Sequence, residues 1–137
     1  MFCDSDEKIP EHLKKEGEVN VTRLQNYVPF LLQNNLGLIK IDVEGSEEKA
    51  LDSGFKLISK YRVPFIFMEF NAKALEAHGT NPRKFLKRFL KNGYRFASYN
   101  FFDNNFISID EIIGRTNDGS NMNLHIVHSK ITKKYYN

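Results

Sequence analysis

The chain has 137 residues, 41% of them hydrophobic and 27% charged, with a formal net charge of +3. That is one ordinary domain with enough apolar material for a core, which excludes a disordered chain and a pair of separate cofactor and substrate domains. The charge is too small to imply nucleic acid or a membrane surface, and a single cysteine, Cys3, excludes an intramolecular disulfide.

The N-terminal residues Met1–Glu7 are acidic with no apolar stretch, so they do not read as a signal peptide. Residues 1–18 are polar with charges of both signs and form a poorly ordered lead-in; the folded domain is expected over 19–129, followed by a basic tail over 130–137. Val19 and Val21 flank Asn20 as in a short strand. Thr22 then caps a helix with apolar positions at Leu24, Val28, Leu31 and Leu32, in which Pro29 forces a kink or a late start. Leu38–Val43 is the first strong strand. Ser46 caps the helix after it, Glu47 and Glu48 face the positive end of its dipole, and Leu51, Gly54, Phe55 and Ile58 follow at helical spacing.

Val63–Phe70 is apolar on both faces until Glu69, the pattern of a strand covered on both sides. Its first part, Val63–Met68, is the longest apolar run and is far too short to cross a bilayer. A loop over 71–82 leads to a helix opened by Asn81-Pro82, striped by Phe85, Leu86, Phe89 and Leu90, and ended by Gly93. Tyr94–Tyr99 alternates as a half-buried strand. Ser108 and Glu111 form a capping box for a short helix through Ile113. A Gly-, Asn- and Asp-rich loop and a last strand, Leu124–Val127, complete the domain. Strands alternating with helices predict an α/β fold with a mostly parallel sheet, and the last two strands, joined without a long helix, predict an antiparallel edge.

Ligands of such sheets bind beyond the carboxyl ends of the strands. Lys40, Asp42 and Glu44 share one face of the first strand, and Glu69 and Asn71 share one side of the next strand's end. If the strands are neighbours, Asp42, Glu44, Glu69 and Asn71 converge on one rim, with His78 in the following loop able to reach it. Such a rim can hold a general base or a hard cation such as Mg²⁺, bind ligand hydroxyls or be a solvated Lys–carboxylate cluster. His125 and His128 read as structural. No Cys/His spacing supports a zinc site and no metal is assigned. There is no G-x-G-x-x-G, no P-loop and no nucleophile elbow.

The stretch LIKIDVEGSEEKALDSGFKLI, followed by VPFIFMEFN, resembles the FkbM family of S-adenosylmethionine-dependent methyltransferases. Lys40, Asp42, Glu44, Gly45 and Glu47 match its K-I-D-V-E-G-x-E pattern, Leu51 and Gly54 match the helix that follows, and Glu69 matches the acid ending the next strand. The resemblance runs from about Val19 to Val127. It implies a Rossmann-like fold, S-adenosylmethionine as cofactor, and O-methylation of a small-molecule or sugar hydroxyl. Asp42 and Glu69, both matched to the family pattern, are then the catalytic candidates, and the rim pattern sets Glu44, Asn71 and His78 toward the substrate.

Residues 1–37 carry neither the glycine-rich turn nor the strand-end acid that grip the cofactor in such domains. The expectation is therefore a domain lacking its N-terminal, cofactor-binding half, with cofactor-binding residues unassigned and little activity alone. A non-enzymatic α/β interaction module derived from the fold is the alternative. An uncovered edge on the Leu38–Val43 strand is then expected to self-associate, pair with another chain or be covered by residues 19–37. The compartment expected is the cytoplasm.

Overall fold

The computed structural model describes residues 20–27, 29–30 and 36–131. The lead-in over 1–18, Val28, Leu31 and Leu32 of the first expected helix, and residues 132–137 of the tail lie outside the described residues. The strand expected at Val21 is absent there: Val21 is 71% exposed, and a single 3₁₀ turn, Leu24–Asn26, follows without a side-chain cap from Thr22.

The fold is mixed α/β. In chain order come β1 (Leu38–Ile41), α1 (Glu47–Asp52), α2 (Phe55–Tyr61), β2 (Phe65–Phe70), α3 (Ala72–Ala77), α4 (Pro82–Lys91), β3 (Tyr94–Ala97), α5 (Ile109–Thr116) and β4 (Met122–His128). They build a four-stranded sheet in the order β1-β2-β4-β3. β1 runs parallel to β2, and β4 runs antiparallel to both β2 and β3.

This corrects the expectation of a mostly parallel sheet, while the antiparallel edge expected of the last two strands is present as the β4–β3 pair. One neighbouring pair is parallel and two are antiparallel, and the reversed last strand sits inside the sheet. Burial explains the insertion. Leu124, Ile126, Val127 and His128 are all buried, so β4 sends buried side chains to both faces, which suits a strand paired on both sides.

The helices differ from the sequence pattern in three places. The helix expected after Ser46 is broken at Ser53–Gly54 into α1 and α2. Leu24 leans on the break: a Cβ on Gly54 would lie 2.7 Å from Leu24 Cγ, so the glycine admits the 3₁₀ turn. The 71–82 segment is not all loop, because Asn71 caps α3 by accepting the Ala74 N–H. Finally, α5 continues past Ile113 to Thr116, whose hydroxyl donates to the Ile112 carbonyl at 2.9 Å. Its expected start is present, with Ser108 Oγ accepting the Glu111 N–H at 3.1 Å.

One face of the sheet is the core. Ile66, Met68, Phe70, Phe96, Leu124 and Ile126 pack with Leu51, Phe55, Ile58, Leu75, Phe85, Leu86, Phe89 and Ile112 from the helices. Phe89 is its hub, with ring centroids 5.2 Å from Phe55, 5.4 Å from Phe85, 6.1 Å from Tyr94 and 6.2 Å from Phe96. The Tyr94 hydroxyl lies 3.0 Å from the Val63 carbonyl and 3.2 Å from that of Ile58, and burial raises its pKa, so it stays a donor. Arg88 fastens α4 to α1, reaching Glu48 at 3.2 Å and Asp52 at 3.0 Å with its guanidinium over the Phe55 ring.

The opposite face is covered differently from the two-sided burial expected of β2. Phe65 and Phe67 are half-buried beneath Phe101 and Phe102 of the loop after β3, and His125 packs beside Phe67 and Phe101. A loop shields less of a sheet than a helix does, so this side remains partly open. Phe89→Ala removes the hub of the helix-side core and is expected to cost about 3–5 kcal/mol of stability, measured as a lowered urea midpoint with the slope unchanged.

Candidate functional site

The parallel register sets Leu38 beside Phe65, Lys40 beside Phe67 and Ile41 beside Met68. One step further, Asp42 and Glu69 come side by side at the carboxyl ends of β1 and β2. The rim anticipated from the strand pattern therefore exists for these two acids. Alternation puts Lys40 on the same face, where its ammonium lies 2.8 Å from Asp42 Oδ2. Both side chains are solvent-accessible, 62% for Lys40 and 45% for Asp42.

Lys40 holds the Asp42 carboxyl below the usual carboxylate range, by its hydrogen bond first and its charge second; the contact with Glu69 lowers it further. Asp42 is thus a permanently ionised acceptor near neutral pH. That suits it to bind a hydroxyl donor or a positive charge.

Glu44 is exposed at the turn beyond Asp42. The turn is tight: Val43 O accepts the Ser46 N–H at 3.1 Å, with Glu44 at φ 45° and Gly45 at φ 93°, the paired positive values of a type I′ turn. Glycine is required at the second position. A Cβ there would meet Ala74 O at 2.7 Å and His78 Nδ1 at 2.8 Å. A non-glycine in the left-handed region costs on the order of 1–2 kcal/mol, so Glu44 is held there by what surrounds it.

Glu47 is part of that restraint. It is 2% exposed, and its Oε1 accepts the Gly45 N–H at 3.0 Å, while Oε2 is buried with no hydrogen-bond partner. Ser46 occupies the N-cap position of α1 without a side-chain cap bond, and the Glu47 carboxylate turns back onto the turn, accepting the Gly45 N–H rather than capping the helix. Sequence reading assigned Glu47 to the helix dipole; its burial follows from packing and has no local signal.

Asn71 and His78 stand near the rim, and each already makes hydrogen bonds within the fold. Asn71 Oδ1 caps α3, and its Nδ2 donates at 2.7 Å both to Gly119 O and to Asn121 Oδ1, tying the loop before β4 to the end of β2. His78 follows α3, its Nδ1 hydrogen bonded to Ala74 O at 2.8 Å and packed on Gly45. Both help to set the shape of the rim, Asn71 through its side-chain amide and the exposed His78 through Nδ1. His125 and His128 have pKa values lowered by burial, as buried structural imidazoles do, and His128 is lowered further by Arg62 and Lys130.

Among the described residues no group of three or more His, Cys, Asp and Glu is placed to hold a metal, and no helix is long and apolar enough to cross a membrane. A shallow cleft beside β3, lined by Leu90, Tyr94, Arg95 and Phe106, contains neither rim acid.

A family model described as Methyltransferase FkbM domain matches residues 4–96, a span containing β1, β2 and both rim acids. No curated protein and no solved structure matches the chain significantly.

Gly45→Ala is expected to cost on the order of 2–4 kcal/mol, combining positive φ with the clash against α3, read by urea denaturation. Lys40→Met is expected to raise the Asp42 pKa toward its ordinary value of 3.8, followed by the NMR titration of its carboxyl carbon.

Proposed function

This chain belongs to the FkbM methyltransferase family, and on that premise we propose that it serves O-methylation of a small-molecule or sugar hydroxyl. The observation that carries the reading is the pairing of Asp42 with Glu69 at the ends of two adjacent parallel strands. The β1-α1-α2-β2 crossover, a parallel unit of the doubly wound kind, supports the Rossmann-like part of it.

Methyltransferases of this kind take their methyl group from S-adenosylmethionine, and the described residues do not fit that cofactor. The glycine turn at the end of β1, the natural place for a close approach, is filled by Ala74 and His78 of the chain itself. The rim is instead suited to the acceptor. Asp42, kept ionised by Lys40, accepts a hydrogen bond from the acceptor hydroxyl and orients its oxygen. Glu69, beside Asp42 at the end of β2, brings a second carboxylate to the same opening. Glu44 borders the same opening. Asn71 and His78 act by position, Asn71 through α3 and the Gly119–Asn121 loop, His78 through the Gly45 turn.

The test is a titration of the full chain with a panel of monosaccharides and small alcohols, read from the amide shifts of residues 41–44 and 67–71. Asp42→Asn and Glu69→Gln are each expected to weaken acceptor binding about tenfold or more, as for loss of a charge-assisted hydrogen bond. Calorimetry with S-adenosylmethionine is expected to show no micromolar binding by the chain alone. Acceptor shifts that survive both substitutions overturn the catalytic assignment and favour an interaction module built on the same fold.

A further inference from the structure

We propose that β1 pairs with β1 of a second copy of this chain, antiparallel, about a two-fold axis at Ile41. This does not rest on methyl transfer. β1 ends the strand order, with β2 its neighbour among the described residues. Leu38 and Val43 are 49% and 41% exposed. Among the described residues no strand pairs with its other side, and an outer strand presents N–H and C=O groups for pairing there.

Symmetry restricts how a second copy can fill that side. A two-fold axis normal to the sheet makes the strands antiparallel and keeps equivalent faces level, so each residue must oppose one of the same face. The axis therefore passes through a residue. An axis at Lys40 sets that ammonium against its own copy, and one at Asp42 does the same to the carboxylate. At Ile39 the axis sets Lys40 against Leu38 and leaves the charges unmatched.

An axis at Ile41 sets Lys40 opposite Asp42 of the second copy, and does so twice. It also sets Ile39 opposite Val43 twice on the helix-covered face. Opposed ions stabilise a strand pair and like charges disfavour it, so the sequence around Ile41 is self-complementary in this register. Lys40 and Asp42 are both exposed enough to make the contact. In the pair each Lys40 lies between its own Asp42 and that of the second copy, so the second copy adds a cation to the Asp42–Glu69 rim.

The experiment is sedimentation velocity on the full chain over a range of concentrations. The wild-type chain is expected to form a dimer as concentration rises. Lys40→Asp and Asp42→Lys are each expected to weaken dimerisation about tenfold or more with an unchanged circular dichroism spectrum. Mixing the two variants in equal amounts is expected to restore the dimer, because the exchanged charges then face each other. A wild-type chain that stays monomeric overturns the proposal. So does a dimer indifferent to either substitution, or a mixture of folded variants that stays monomeric. Should a variant not fold, hydrogen exchange on the wild type decides: β1 amides pointing away from β2 gain protection with concentration, and protection independent of concentration overturns the pairing.

Discussion

The alternation of β2 is the constraint on which the rest of the structure depends. Ile66, Met68 and Phe70 point into the helix-side core at 0% exposure, and Phe65, Phe67 and Glu69 point to the other face. β2 pairs with β1 on one side and β4 on the other, so its register sets both. A slip of one residue would turn three fully buried side chains to the open face. The same register that buries Met68 beside Ile41 delivers Glu69 beside Asp42. Core packing and the acid rim are therefore one geometric fact seen from two faces of the sheet.

The two faces are of unequal strength. The helix side carries an aromatic network centred on Phe89 and cross-braced by Arg88. The other side has a ring cluster of Phe65, Phe67, Phe101 and His125 under a loop. Charged groups occur at the strand ends of that weaker side, where water still reaches them and ionisation costs little. Lys40 and Asp42 can sit in and just beyond β1 because β1 is the outermost strand among the described residues and both side chains reach solvent.

The Val43–Ser46 turn converts the end of β1 into the start of α1, and it works through parts distant in sequence. Only glycine fits at position 45 because Ala74 and His78 come so close, and the Gly45 N–H is satisfied by the buried Glu47 carboxylate. α3, which closes on this turn, is itself capped by Asn71 and held by the loop before β4. The rim thus has a short scaffold in which each support is a hydrogen bond already made, so an approaching hydroxyl meets groups whose positions are set beforehand.

Local chemistry determined a good part of this. Strand alternation sufficed to place Lys40 with Asp42 and to set Glu69 at a strand end, because side chains repeat every two residues. Asn81-Pro82, Ser108 with Glu111, and Gly93 marked helix ends, because caps act within one turn. The charged motif around Asp42 marked the family. Tertiary structure decided what depends on partners remote in the chain. It reversed β4 and set it between β2 and β3, since pairing order follows from which faces can be buried together. It split one helix at Gly54, where Leu24 needed room, and made a helix of 72–77 once Asn71 had both a cap and a loop to hold. It also turned Glu47 inward, and it spent Asn71 and His78 on the scaffold, because no periodicity within the chain encodes which hydrogen bonds a folded neighbour will claim.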